Sequence, residues 1–510
     1  MPPEFYFENR EERVYRPIAF TLDQREAYHS NNWNQIARLR SGTSIEVAQQ
    51  QVDAVNDANR ELFPGLAVAL ANAGFASRVV SFEQDLVRDV RSTLYLLWGG
   101  VLFVLLIGCV NIANLVLVRS SIRRRELATR LAFGAGYLRI SRQLLTESIV
   151  LTTTGGALGL LIGYWGTDLL ATLGIDRLPR AQEIAMDGTV VGATLGLALF
   201  VGFLIGIIPV TGALQTDLGT VFHEDVTTGT SAKAARLVRR ALVTAQVAIA
   251  LILLIGAGLM LASFREILGL DLGYETGNVL TGQVTLTEAR YPERSDLHGF
   301  TDAALAGIRS TPGVTAAGAT SAFPLGGDYS DGVILAEGYV LDPGESLISP
   351  DQIRITPGYL EAMSIELIQG RYFDETDVDG AFRAVLVDEE LAQRFWPDVN
   401  PLNKRLYYPT DGDDLEAITE DTVFLNVVGV VESVAFRDVV REDGDSVGAY
   451  YVPYAQAPSR SLTLAVKTAG DPAQVVNPIR SEISRLDAGL PFFNVRSMED
   501  RLADSLGPRR

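Results

Sequence analysis

Four apolar stretches, at about residues 93–118, 144–173, 189–214 and 241–263, are each long enough to cross a bilayer as a helix. A hydrocarbon core needs about 20 helical residues, and without water every backbone amide and carbonyl must bond within the protein, which a helix achieves by itself. The first stretch contains no charged residue. The acids of the second, Glu147 and Asp168, lie near its ends, where a charge reaches the interface or packs inside a bundle. The loops give direction, because short cytoplasmic loops collect Lys and Arg. Residues 119–142, RSSIRRRELATRLAFGAGYLRISR, carry seven arginines against one glutamate. The third loop, 215–240, holds Lys233, Arg236, Arg239 and Arg240, whereas the middle loop, 174–188, has only Arg177 and Arg180. The first and third loops are therefore expected in the cytoplasm, and segments 1–92 and 265–510 outside it.

Charge divides along the same line. The formal charge of −19 sits almost wholly beyond residue 264, where about 40 acids face about 20 bases. An acidic domain of this kind is no general nucleic-acid binder, since phosphate contact needs a basic face. The single cysteine, Cys109, lies inside the first stretch and excludes a disulfide framework within one chain. The N-terminal MPPEFYFENREERVYRP is charged and lacks the apolar core of a signal peptide.

Energy-converting chemistry has no motif here. A phosphate-binding P-loop needs GxxxxGK followed by Ser or Thr, and Lys233, Lys404 and Lys467 follow no such loop. His29, His223 and His298 are scattered and form no spaced ligand set with the one cysteine. Glu375, Asp377, Asp379 and Gly380 imitate part of a calcium loop, but its twelfth position is Leu386 rather than a bidentate Glu, and a solvated turn is the expectation. Asp411, Asp413 and Asp414 fit a flexible acidic loop. No GxSxG nucleophile turn occurs. No catalytic residue, cofactor site or metal site is assigned, and the chain is not expected to be an enzyme.

An internal repeat accounts for an external N-terminus without a leader. Residues 79–86, VVSFEQDL, match 495–502, VRSMEDRL, at Val79/Val495, Ser81/Ser497, Glu83/Glu499 and Leu86/Leu502. Before each copy lie a strand-like run (QIARLRSG; LTLAVKTAG), a polar helix and a Pro-containing turn, in one order. A membrane stretch starts seven residues after Leu86, whereas the chain ends eight residues after Leu502. The chain is thus expected to be a piece of a longer duplicated protein, with 1–92 the C-terminal remnant of a first external domain.

The run CVNIANLVLVRSSIRRRELATRLAFGAG followed by QLLTESIVL resembles the membrane domain of FtsX/MacB-type ABC transporter permeases. IRITPGYLEAMSIELIQGRYFDETD, VVGVVESVAF, YVPYAQAP and LDAGLPFFNVRSMEDRL resemble the extracytoplasmic core domain of the same family, and the repeated arrangement is most similar to the duplicated orphan permeases of acidobacterial type. The resemblance implies a multi-pass protein of the bacterial inner membrane. Its architecture would be a four-span helical bundle, with an FtsX-like domain at 93–214 and a fourth span at 241–263, followed by an α+β core domain of two subdomains at 265–510. It also implies a separate cytosolic ABC ATPase that docks on a short helix between spans, with a second permease half or a homodimer as a further partner. Here that helix would be 121–133 within the segment 119–143, with Arg123, Arg124, Arg125, Glu126, Arg130, Leu131, Phe133 and Gly134 as the coupling residues. Ile122, Leu127 and Leu131 can share one stripe, leaving the arginines toward water or a partner, and Gly134 and Gly136 loosen the helix before the next span. From pattern alone, setting topology and meeting anionic membrane lipids is the stronger reading of the same arginines. The implied function is a permease subunit that passes ATP-driven motion to the external domain for export or efflux. The alternative is a membrane-anchored scaffold or sensor that binds an envelope partner without an ATPase.

Within the spans, Asn111 and Asn114 can hydrogen-bond to a neighbouring helix or line a path, with the structural use expected, and the glycines of 155–163 are expected to permit close helix approach. Beyond residue 264, strand-like runs occur at 278–286, 332–338, 351–356, 383–388, 424–431, 449–454 and 462–468, with helices near 296–310, 389–395 and 472–486.

Overall fold

A computed structural model describes residues 17–20, 22, 25, 35–62, 64–72, 74, 76–88, 91–123, 126, 129–130, 133, 135–172, 186–214, 230–327, 329–342, 345–380, 382–409, 415–437 and 447–505. The first helices described over their length are α1 Ile45–Leu62, α2 Pro64–Asn72 and α3 Phe82–Leu86. Four long ones follow: α4 Arg91–Ile122, α5 Tyr137–Thr172, α6 Gly188–Leu214 and α7 Thr230–Leu268. The chain divides into two compact units, one from Glu83–Arg265 and the other from Pro17–Phe82 with Glu266–Pro508.

In the first unit the four long helices carry the four candidate membrane spans, Arg91–Val116, Leu138–Thr167, Gly188–Ile207 and Arg240–Ile267. Tyr95 and Trp98 of α4 and Tyr164 and Trp165 of α5 lie toward the helix ends opposite the arginines and are exposed, as amphipathic rings at an interface would be. Three helices run clearly past their expected limits, α4 among them, which reaches Ile122. The span expected from residue 144 begins its helix at Tyr137, and the fourth begins at Thr230, because helical hydrogen bonding does not stop where the apolar run does. Hydroxyls in α5 are satisfied internally: Thr152 donates to the Ser148 carbonyl (3.1 Å) and Thr154 to that of Val150 (2.9 Å). Asn114 differs, since its buried Oδ1 has no hydrogen-bond partner and the expected interhelical bond is not made among the described residues.

The closest helix packing in this unit joins α5 to α6. A Cβ at Gly202 would meet Thr152 Oγ1 and lie 3.0 Å from Ile149 Cα, and one at Gly206 would lie 2.9 Å from Leu145 Cδ2. These glycines are four residues apart, the spacing that lets two backbones approach in lipid. Of the glycines expected to do this on α5, Gly156 does face Ala198 at 3.0 Å, whereas Gly155 and Gly159 face open space. The fourth span buries none of its apolar window.

The second unit is built on an eleven-stranded sheet, β1 Val279–Thr285, β2 Val314–Thr320, β3 Leu335–Ala336, β4 Asp351–Ile355, β5 Leu367–Gly370, β6 Ala384–Asp388, β7 Arg405–Tyr407, β8 Phe424–Val431, β9 Ala449–Pro453, β10 Ser461–Thr468 and β11 Phe493–Ser497. Its order is β11-β1-β10-β2-β4-β9-β6-β8-β7-β3, with β5 on β8. Five helices decorate it: α8 Arg294–Arg309, α9 Tyr359–Met363, α10 Glu389–Phe395, α11 Val476–Leu486 and α12 Met498–Ser505. The sheet runs through two lobes, β11-β1-β10-β2 and β4-β9-β6-β8-β7-β3, whose edge strands β2 and β4 share the single register pair Thr320 and Ile355, while one buried cluster spans both, with Val279 and Ala465 beside Ile353, Leu386 and Tyr451. In the first lobe α8 starts at a capping box between Glu293 and Asp296. Its stripe of Leu297, Phe300, Ala304, Leu305 and Ile308 shares one buried cluster with Leu280 of β1, Leu464 and Val466 of β10, and Ile479 and Ile483 of α11. In the second lobe, α10 places Leu391 and Phe395 in a cluster with Val385, Val387, Leu425 and Tyr450. Every residue of β6 is buried, the signature of a strand covered on both faces.

The N-terminal copy of the repeat folds differently from its counterpart. Residues 35–40, expected as a strand like β10, are exposed and join no ladder among the described residues. The pattern specifies a strand only where a neighbour offers its edge, and β10 has β1 and β2. Instead a side chain supplies the pairing: Gln49 of α1 donates to the Ser77 carbonyl (2.7 Å) and accepts from the Val79 amide (2.7 Å). Phe82 is 39% exposed, whereas Met498 at the matching position is fully buried.

Asp388 caps α10 by accepting from the Leu391 amide at 2.9 Å. Burial pushes its carboxyl up to about 7, against the amides of Leu391 and Ala449 and the Ser433 hydroxyl, which favour the charged form. An unfolded Asp titrates near 3.9, so the folded state holds this proton more tightly. That stabilisation is fully present below about pH 4 and is lost as the pH rises through about 7. The unfolding temperature of the whole chain in detergent is expected to fall from pH 5 to pH 8, with a slope from this one proton of at most ~1.4 kcal/mol per pH unit. Asp388→Asn, which keeps a capping oxygen, should flatten the slope, and an unchanged slope would refute the assignment. Asp487, held low by the Gly489 amide, is ionised in both states over this range and leaves the comparison intact.

Candidate functional site

The basic segment between α4 and α5 is tied to the base of α5 by five side chains in series. α4 continues through Ile122, so the amphipathic segment expected from residue 121 shares its start with the end of the first span, and the Arg123 amide still bonds to the Arg119 carbonyl at 3.1 Å. Arg123 then donates to Glu147 Oε2 at 3.0 Å. Glu147 Oε1 accepts from Gln143 at 3.2 Å, Gln143 Oε1 accepts from Arg130 at 3.2 Å, and Arg130 pairs with Glu126 at 2.6 Å. Glu126 and Arg130 are four residues apart, as are Gln143 and Glu147, so each pair shares one helical face. The wide bond from the Ala135 amide to the Arg130 carbonyl (3.0 Å) closes the turn, and α5 starts with the Arg139 amide on the Gly136 carbonyl.

The structure thus brings Arg123, Glu126 and Arg130 together. Phe133 is 90% exposed and Ile122 is 76% exposed, two apolar side chains presented outward from a basic segment. Arg124, Arg125, Leu127, Leu131 and Gly134 lie outside the described residues. Sequence reasoning missed Gln143 and Glu147 as partners. Their four-residue spacing at the start of an apolar helix was the available signal, but the pairing with Arg123 spans 24 positions and requires the closed α4–α5 turn. Each of these half-exposed ion pairs contributes at most about 1 kcal/mol, so the series positions the segment more than it stabilises it.

The acidic residues considered for calcium are engaged elsewhere. Both carboxylate oxygens of buried Asp377 accept from Arg371, at 2.7 and 2.8 Å, and Asp379 pairs with Arg294 at 3.3 Å. Among the described residues no cluster of His, Cys, Asp and Glu is arranged to hold a metal ion. Asp411, Asp413 and Asp414 lie outside the described residues.

Known proteins resemble the chain over both units. Residues 98–218 match the FtsX-like permease C-terminal family, and residues 241–482 match the MacB-like periplasmic core domain. The macrolide export ATP-binding/permease protein MacB of Marinobacter nauticus is 27% identical over 175 residues, 34% of this chain and 26% of that one. The uncharacterized ABC transporter permease YknZ of Bacillus subtilis is 34% identical over 113 residues, 22% of this chain and 27% of its own length. The matched part therefore spans about a quarter of these curated relatives. The crystal structure of the periplasmic region of MacB from Actinobacillus actinomycetemcomitans aligns with 47% of this chain and 96% of its own, at 17% identity and a TM-score of 0.30. With the membrane family and the periplasmic family matched in order on a chain with four candidate spans, the chain belongs to the FtsX/MacB-like ABC transporter permeases, multi-pass proteins of the bacterial inner membrane with periplasmic domains.

Proposed function

We propose that the chain is the permease component that receives ATP-driven motion from a separate cytosolic ATPase and passes it through the membrane to its periplasmic domain, in the service of export. The observation that carries this reading is the series Glu126, Arg130, Gln143, Glu147 and Arg123, which fastens the basic segment to the base of α5. α5 is in turn interlocked with α6 at Gly202 and Gly206. A displacement of the segment is therefore delivered to two spans together. Exposed Phe133 and Ile122 supply apolar contacts for a docking protein, each side chain yielding about 1.5–3 kcal/mol when fully buried, while the arginines select an acidic surface. Export as the direction rests on the MacB relatives, whose names give macrolide export.

Co-purification tests the reading. The tagged full chain is expected to retain an ATP-hydrolysing partner, and the triple charge reversal Arg123→Glu, Arg124→Glu, Arg125→Glu is expected to lower retained ATPase activity about tenfold or more, the equivalent of 1.4 kcal/mol. Unaltered retention would remove this segment from the docking role. Absence of any ATPase under conditions that keep the chain folded would favour the scaffold or sensor.

A further inference from the structure

The end of α4 and the first turns of α5 enclose an open cleft whose lining changes character along its length. At one end stand Arg119 and Arg123 of the α4 end and Arg139 and Arg142 of α5; beyond Glu147 the lining becomes Val150, Leu151 and Thr154, whose hydroxyl is bonded to the Val150 carbonyl. Arg123 is neutralised by Glu147. Among the described residues no carboxylate lies within ion-pair distance of Arg119, Arg139 or Arg142. The α5 residues of the lining recur at spacings of three and four, on one helical face. From Arg139 to Thr154 that face rises about 22 Å at 1.5 Å per residue, close to one bilayer leaflet of about 15 Å of hydrocarbon plus its headgroup layer.

We infer that this cleft binds one anionic phospholipid of the cytoplasmic leaflet, with its phosphate among Arg119, Arg139 and Arg142 and an acyl chain along Val150 and Leu151. Charge complementarity selects the occupant. Three guanidiniums without a carboxylate among the described residues match phosphate oxygens bidentately, and they favour a lipid with net negative charge over a zwitterionic one. The tendency of arginines to collect on the cytoplasmic side accounts for their number in the segment. It does not account for their convergence from two helices on one cleft with an apolar continuation. A basic pocket between spans on this side of a membrane has the chemistry of an anionic-headgroup site.

Native mass spectrometry of the full chain in a maltoside detergent tests the site, with phosphatidylglycerol, phosphatidylcholine or inorganic phosphate added in turn. One phosphatidylglycerol is expected to remain bound, and phosphatidylcholine and phosphate are not. The variant Arg119→Gln, Arg139→Gln, Arg142→Gln should lower retention of phosphatidylglycerol on the order of 100-fold for three membrane-facing cations, whereas Arg240→Gln on α7 should leave it unchanged. Should the triple variant fail to fold, the three single glutamine variants carry the test, each with a several-fold loss expected. Equal retention in all variants overturns the site. So does equal retention of phosphatidylcholine, and competition by inorganic phosphate alone would make it a free-anion site. A triple variant that keeps the lipid but loses an ATP-hydrolysing partner would make the cleft a protein interface. The ATPase reading itself is tested at Arg123, Arg124 and Arg125, so failure of one leaves the other standing.

Discussion

Replacing Gly202 by leucine is expected to separate α5 from α6 and to remove the folded state of the membrane unit in detergent. The added Cβ would sit 3.0 Å from the Ile149 Cα and 3.3 Å from the Ser148 carbonyl oxygen. Those are backbone atoms of a neighbouring helix, which cannot turn aside as a side chain can. Overpacking in a core costs about 1–3 kcal/mol when side chains can adjust, and here the cost exceeds that range because the helices must move apart. Separation would also expose Ser148, which is buried in this packing. Thermal unfolding and size-exclusion behaviour of the purified chain check the result. Gly159→Leu is the control, since its Cβ meets nothing within 4 Å, and a comparable loss in that variant would show that packing at Gly202 is not the cause.

Leu386→Ala is expected to destabilise the periplasmic unit by about 2–5 kcal/mol, the range for buried leucine truncations. β6 lies between β8 and β9, and Leu386 is fully buried in the cluster that includes Ile353, Met363 and Tyr451. A central strand bonded on both sides has little freedom to close a cavity, which places the effect toward the upper end. Denaturant unfolding of the full chain followed by near-ultraviolet circular dichroism measures it. Val378→Ala, at a side chain 56% exposed, should stay within about 0.5 kcal/mol of the parent. Equal effects at both positions would refute the placement of the core.

What the sequence disclosed about this fold follows from where local pattern and tertiary context agree. The four spans were legible because an uncharged apolar run as long as a bilayer is thick has no stable place in water. Seven strands were legible as short apolar runs, and β6 is the clearest, with AVLVD wholly buried. β2 escaped because it reads VTAAGAT, whose centre is Ala-Ala-Gly-Ala with no large apolar side chain. The structure gives the reason: a Cβ at Gly318 would collide with the Tyr359 amide and Cα, so the strand is small where the turn into α9 crosses it. β5 and β7 are short, and β11, FNVRS, is largely exposed at the sheet edge and has no apolar run. Residues 35–40 failed in the other direction, with the right pattern and no partner strand among the described residues. At the candidate site the arginines were visible as charge, but Glu147 and Gln143 became partners only when α5 was brought back against the end of α4. The interlocking glycines lie on α6 as well as on the α5 run that drew attention, because helix contact depends on which faces meet.

The fourth span has a further mechanical consequence. Its apolar stretch, 241–263, measures about 34 Å as a straight helix, against about 30 Å of hydrocarbon. The excess of roughly 4 Å is accommodated by tilting or by local thickening of the bilayer, at fractions of a kcal/mol per Å of mismatch. No residue of 241–263 is buried in the chain, so no core packing within the chain holds this stretch at one inclination. A change in acyl-chain length is thus expected to alter the tilt of α7, the helix that precedes the periplasmic domain in sequence.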